Sequence, residues 1–167
     1  MSVTFLGNPV SVNGHVPQKG EQAPQFILCD QELVDVNLEH FEGKKLVLNI
    51  FPSADTPTCA ESIRAFNESA KEFDNTVVLC VSADLPFALS RFVKQHELDR
   101  VSIASCFRSP EFAQSYGVAI TDGALRGLTS RAVIVLDENR QVLHSQLVGE
   151  IADEPNYQQA IAALQGV

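Results

Sequence analysis

Four thiols and four imidazoles are this chain's candidates for nucleophilic, redox or metal chemistry, and one thiol has neighbours that set it apart. Cys59 lies in the stretch from Lys44 to Phe73, KKLVLNIFPSADTPTCAESIRAFNESAKEF. Before it, Val47, Leu48, Ile50 and Phe51 form a short apolar run of the kind a strand buried on both faces needs. After it, Ile63, Phe66, Ala70 and Phe73 recur at helical spacing. Pro52 and Pro57 bracket the polar loop between the two, so Cys59 falls in the first helical turn. Unpaired backbone N–H groups and the positive end of the helix dipole favour a thiolate there, the form in which cysteine attacks. A helix terminus alone supplies only part of that stabilisation, so a cationic partner is expected as well. A stiff loop of two prolines, two threonines and an aspartate is also a poor way to fill a core. Thr56 suits a helix-capping hydroxyl and Pro52 a strand terminator, while Asp55 suits turn chemistry.

The other candidates carry weaker signals. Cys29, Cys80 and Cys106 stand far from Cys59 and from each other, and the chain has no CxxC, so neither a dithiol motif nor a zinc site is indicated. Cys80 sits inside the apolar run TVVLCVS and reads as a packing residue. His15, His40, His96 and His144 show no ligand spacing, and no metal or other cofactor is expected. The triplet Asn67, Glu68, Ser69 matches a glycosylation acceptor but lies within the expected helix, where it carries no meaning.

The elements that must position Cys59 alternate along the chain. Val3 to Leu6 and Val10 to Val12 flank Gly7, Asn8 and Pro9 as a small N-terminal hairpin. Gln25 to Cys29 offers a short strand, and Val34 to Leu38 a further strand or an extended loop. Beyond the central strand and cysteine helix, Thr76 to Ser82 reads as a buried strand. Asp84 and Pro86 signal a helix through Gln95, Val101 to Ser105 a strand, and Ser109 or Pro110 a helix through Tyr116. Thr121 to Ser130 is a glycine-containing loop. Ala132 to Leu136 is a strand, Gln141 to Val148 its antiparallel hairpin partner, and Tyr157 to Leu164 a closing helix. This order predicts an α/β fold with a central mixed sheet flanked by helices, of thioredoxin-like type, with function gathered where strands end and helices begin.

With 167 residues, 45% apolar and 20% charged, the chain suits one domain over residues 1–167. A net charge of -9 without a basic cluster argues against nucleic acid and against anionic membrane surfaces. The start lacks the pattern of a secretory signal and no apolar run approaches a membrane span, which gives a cytoplasmic expectation.

Pro52, Thr56 and Cys59, at the spacing PxxxTxxC, with Arg131 opening the later segment SRAVIVLDEN, resemble the active-site pattern of peroxiredoxins. FLGNPV, VLNIFPSADTPTCA, VSADLPFALSRF and YGVAI extend the resemblance over essentially the whole chain. The branch it resembles is the bacterial thiol peroxidases, which are atypical two-cysteine peroxiredoxins. The resemblance implies a peroxiredoxin fold, a homodimer and an antioxidant peroxidase that reduces hydrogen peroxide and organic hydroperoxides with thioredoxin or another thiol. It implies Cys59 as the peroxidatic nucleophile, Thr56 as a hydrogen-bonding partner of thiolate and peroxide, Pro52 as the shield of the pocket, and Arg131 as the cation. Guanidinium stays protonated and offers directed N–H groups to the negative charge that develops as the O–O bond breaks.

One position departs from that pattern. The branch carries a resolving cysteine after the SRF segment, whereas Ser90, Arg91 and Phe92 are followed here by Val93. Oxidised Cys59 then calls for another thiol, either external or, as a weaker choice, Cys106 at the end of its strand. An alternative without turnover is a redox sensor or scaffold whose Cys59 is oxidised once.

Overall fold

The computed structural model describes residues 2–166; Met1 and Val167, the two ends of the expected domain, lie outside the described residues. Among the described residues, ten strands and four α-helices alternate. β1 (Ser2–Phe5) and β2 (Asn8–Asn13) form the N-terminal hairpin. Leu6 and Gly7 turn it with positive φ values of 51 and 83°, the primed-turn geometry that matches strand twist.

The main sheet is built from β3 (Ile27–Cys29), β4 (Asp35–Asn37), β5 (Lys45–Ile50), β6 (Thr76–Ser82), β7 (Val101–Ser105), β9 (Ala132–Leu136) and β10 (Val142–Leu147). Its order is β10-β9-β5-β6-β7-β3-β4. β5, β6 and β7 run parallel, while β9, β10, β3 and β4 pair antiparallel to their neighbours. A mixed sheet follows, as the alternating pattern predicts.

Both faces of the central strands are buried, which explains their near-continuous apolar sequences. On one face Leu48, Ile50, Leu79 and Ile134 meet Phe26, Leu38 and, from α3 (Pro110–Ser115) and the residue after it, Phe112 and Tyr116. On the other, Val47, Val78, Cys80, Val133 and Val135 are covered by α1 (Pro57–Ala70), α2 (Pro86–Gln95) and α4 (Tyr157–Leu164). β8 (Ala119–Ile120) joins β2 in a separate small sheet over a third cluster of Val3, Val10, Val12, Ile120 and Ile151.

Three details differ from the sequence expectations. The segment after β4 is a 3-10 turn, Leu38–Phe41, because Leu38 is drawn into the core rather than extending the strand. α1 stops at Ala70, short of Phe73. The glycine-containing loop is preceded by the two-residue strand β8, too short to leave a periodic signal.

The antiparallel pairing of β9 with β5 matters most for function. Ile50 stands opposite Ala132, so the residues just after β5 and the residue just before β9 reach the same sheet edge. Thr129 reinforces this edge by donating its Oγ1 proton to the Phe51 carbonyl at 2.7 Å.

The approach of Asn13–Val16 to the end of α3 depends on two glycines. At Gly117 (φ +69°) a Cβ would lie 2.4 Å from backbone atoms of His15 and Val16, and at Gly14 one would lie 2.2 Å from the Gln114 carbonyl oxygen. Gly127 also has positive φ but open space around it. Gly117→Ala is therefore expected to lose roughly 2 kcal/mol or more of stability beyond the loss in Gly127→Ala. Urea unfolding of both variants checks this; equal losses would mean that the close approach adds nothing.

Candidate active site

Cys59 occupies the first turn of α1, with Pro57 as the first helical residue and Thr56 as the N-cap. Thr56 is extended (φ -90°, ψ 148°), and its Oγ1 accepts the Cys59 N–H at 3.3 Å while donating to the Ser53 carbonyl at 3.2 Å. The cap thus meets an otherwise unpaired helix donor and fixes the loop that leads to the thiol. Cys59 has no exposed surface. Its Sγ accepts a hydrogen bond from Arg131 Nη2 at 3.1 Å.

Arg131 is 1% exposed. Its Nε donates to the Ile151 carbonyl at 2.8 Å, and its Nη1 has no partner. None of the ion pairs among the described residues involves it. A guanidinium so deeply buried needs compensating negative charge, and the sulfur at 3.1 Å is the group placed to carry it.

Above this pair opens a pocket of about 360 Å³. Arg131 and the loop residues Pro52, Ser53, Thr56, Pro57 and Thr58 form its base. Phe5 and Leu6 of the hairpin turn, Leu125, Leu128 and Ile151 make its walls apolar. Cys59 itself lies just behind the lining, under the residues that cap its helix. The structure therefore brings Pro52, Thr56, Cys59 and Arg131 together at one sheet edge.

Three supporting contacts carry no sequence signal of their role. Thr58 Oγ1 donates to the Ala152 carbonyl at 2.8 Å, next to the carbonyl that holds Arg131. Asp84, a helix-start signal in the sequence, does not cap α2, whose N-cap is Leu85. Its carboxylate instead accepts from Ser53 Oγ (2.7 Å), Ala54 N (2.8 Å) and Ser82 Oγ (2.7 Å), and so ties the loop before Cys59 to the end of β6. Below the site, Asn49 Nδ2 donates to Ser62 Oγ, which donates to the Cys59 carbonyl.

The remaining thiols stand apart, and all four cysteines are free. Cys106 packs in the core on the opposite face of the sheet from Cys59. Burial first, then the nearby Asp84 charge, pushes its thiol up to about 11, with only partial relief from a backbone hydrogen bond. Cys80 shares the face of Cys59, but burial pushes it up to about 12. At neutral pH both are overwhelmingly protonated and poor nucleophiles. Cys29 lies on β3, opposite Ser105. Val93, half-buried on α2, packs against the same cluster as Cys59.

Comparison with known proteins agrees with this site. Residues 18–161 match the Redoxin family model. A thiol peroxidase of Vibrio cholerae serotype O1 is 49% identical over 164 residues, 98% of this chain and all of the relative. Among solved structures, a peroxiredoxin-like protein from Aquifex aeolicus superimposes with a TM-score of 0.93 at 34% identity, covering 99% of this chain and 96% of that one. A thiol peroxidase from Chromobacterium violaceum gives the same TM-score and coverage at 26% identity. With the family model spanning most of the sequence and a near-full-length relative at this identity, the chain belongs to the redoxin family, in its thiol peroxidase branch.

Proposed function

We propose that this protein is a thiol-dependent peroxidase in which Cys59 is the nucleophile and Arg131 its activating cation. The 3.1 Å contact between Arg131 Nη2 and Cys59 Sγ at the base of an apolar pocket carries the reading. The thiolate attacks one peroxide oxygen, an S–O bond forms as the O–O bond breaks, and the departing alkoxide or hydroxide takes up a proton. Sulfur gives two electrons and becomes a sulfenic acid. Arg131 Nη1, buried without a partner, is the donor available to the oxygen on which charge develops. Thr56 Oγ1 can turn its proton from the Ser53 carbonyl to substrate while still accepting the Cys59 N–H. Pro52 closes the wall beside them.

The apolar walls favour organic hydroperoxides over hydrogen peroxide alone, since an alkyl or aryl group gains from leaving water there. Resolution is by an external thiol. It attacks the Cys59 sulfenic acid with loss of water, and a second thiol releases the resulting mixed disulfide and restores Cys59. The chemistry of Cys106 and Cys80 supports this over an internal route, and Val93 cannot form a disulfide. Thioredoxin or another cytoplasmic thiol is the reductant. The exposed apolar side chains of Leu85, the N-cap of α2, and Phe87 in its first turn suit a homodimer contact. A one-time sensor does not account for a pocket built to admit substrate.

Cys59→Ser is expected to abolish peroxide consumption with an unchanged circular dichroism spectrum; retained turnover would contradict the assignment. Arg131→Gln is expected to slow oxidation of Cys59 by about 100-fold or more, because it removes both the cation and the directed donors. Stopped-flow measurement of single-turnover oxidation checks this, and a rate within a few-fold of the wild type would remove Arg131 from the mechanism.

A further inference from the structure

One carboxylate outside the Cys59 site joins the hairpin turn to the segment that holds Arg131. Glu150 follows β10, and its Oε1 accepts from Gly7 N at 2.8 Å and Thr4 Oγ1 at 3.1 Å. Its Oε2 accepts from Leu6 N at 3.1 Å and Ala152 N at 2.9 Å. Main-chain bonds dock β1 nearby, from Thr4 N to Gly149 O and from Ile151 N to Thr4 O, each 2.8 Å. Those bonds reach only to residue 4. The turn that carries the apolar wall, Leu6 with Gly7, is held to this segment by Glu150.

We propose that Glu150 is a positioning residue for substrate choice: it latches the hairpin turn so that Phe5 and Leu6 form a fixed wall for the organic group of a hydroperoxide. This role rests on the peroxidase reading and adds to it a residue that touches neither peroxide nor thiol. The two oxygens of hydrogen peroxide need only Cys59, Thr56 and Arg131. An alkyl or aryl substituent must in addition lie against the pocket walls, of which Phe5 and Leu6 form one side. Leu6 is 69% exposed and has positive φ, so little packing holds its side chain in place. Without the carboxylate, the Leu6 and Gly7 N–H groups turn to water and the wall becomes mobile. The N–H groups of Ala152 and Gly7 hold the Glu150 carboxyl below its usual range, so it is an anion at neutral pH and accepts on both oxygens. Gly7 as the second turn residue lets its N–H face that anion without strain.

The test compares kcat/KM for cumene hydroperoxide and hydrogen peroxide in the wild type, Glu150→Ala, Glu150→Gln and Leu6→Ala. The ratio of the two, aryl over hydrogen peroxide, is expected to fall at least about ten-fold in Glu150→Ala, mainly through KM, with Glu150→Gln intermediate. Leu6→Ala is expected to lower the ratio in the same direction, and the double variant Glu150→Ala with Leu6→Ala to lose little more than the larger single effect. Equal losses for both peroxides would overturn the proposal, because they would place Glu150 behind Arg131 or behind the fold as a whole. An unchanged ratio would also overturn it. Amide hydrogen exchange reads the latch without turnover: exchange at Leu6 and Gly7 is expected to accelerate in Glu150→Ala while that of α1 is unchanged, and unaltered exchange would overturn the latch. A wild type that consumes neither peroxide would instead sink the peroxidase reading, and the exchange result would still decide the latch.

Discussion

The structure turns on a buried positive charge. Arg131 lies at the end of a fully apolar strand with almost no contact with water. Removing a guanidinium from water costs several kcal/mol unless charge and hydrogen bonds replace the solvent. The Ile151 carbonyl takes one N–H, the Cys59 sulfur takes another, and Nη1 is without a partner. In the proposed function, negative charge on the sulfur beside it and a peroxide oxygen in front of it are what such a group needs. The burial and the proposed chemistry therefore explain each other, because the negative charge of the attacking sulfur and the departing oxygen is what compensates a guanidinium held out of water.

The rest of the fold holds that contact in place. Antiparallel pairing of β5 with β9 delivers Arg131 to the edge from which the loop to Cys59 departs. Thr56 fixes the helix start, Asp84 ties down the loop before it, and Thr129 stitches the two strand ends. Cores on both faces of the sheet make this edge rigid, as pre-organised electrostatics requires. The hairpin is a separate addition, with its own small cluster, and it contributes the apolar wall rather than the reacting groups.

Much of this was legible in the residues. The strand and helix on either side of Cys59 were readable because continuous burial and 3.6-residue periodicity leave different patterns, and Pro57 marks the first helical turn. β6, β7, β9 and α4 fall where their apolar runs place them. The contact between Arg131 and Cys59 was not derivable from spacing, because it spans 72 positions and depends on which strands pair; only the family resemblance named it. Asp84 shows a second limit. An aspartate two residues before a proline suits a helix start, yet its carboxylate turns to the Cys59 loop, a choice set by tertiary proximity. Glu150 gave no signal of its role, since the turn N–H groups it holds, those of Leu6 and Gly7, lie more than 140 residues away in sequence.

The missing cysteine at Val93 makes the oxidised state the most informative one to capture. Cys59 alone has a cation beside its sulfur, while Cys80 and Cys106 are held protonated by burial. Mass spectrometry of the reduced protein after one equivalent of organic hydroperoxide, with a sulfenic-acid trap present, tests this most directly. The predicted result is one oxygen gained, trapped on Cys59, with the other three thiols free. A stoichiometric internal disulfide, or oxidation first at another cysteine, would contradict the central role of the Arg131–Cys59 pair.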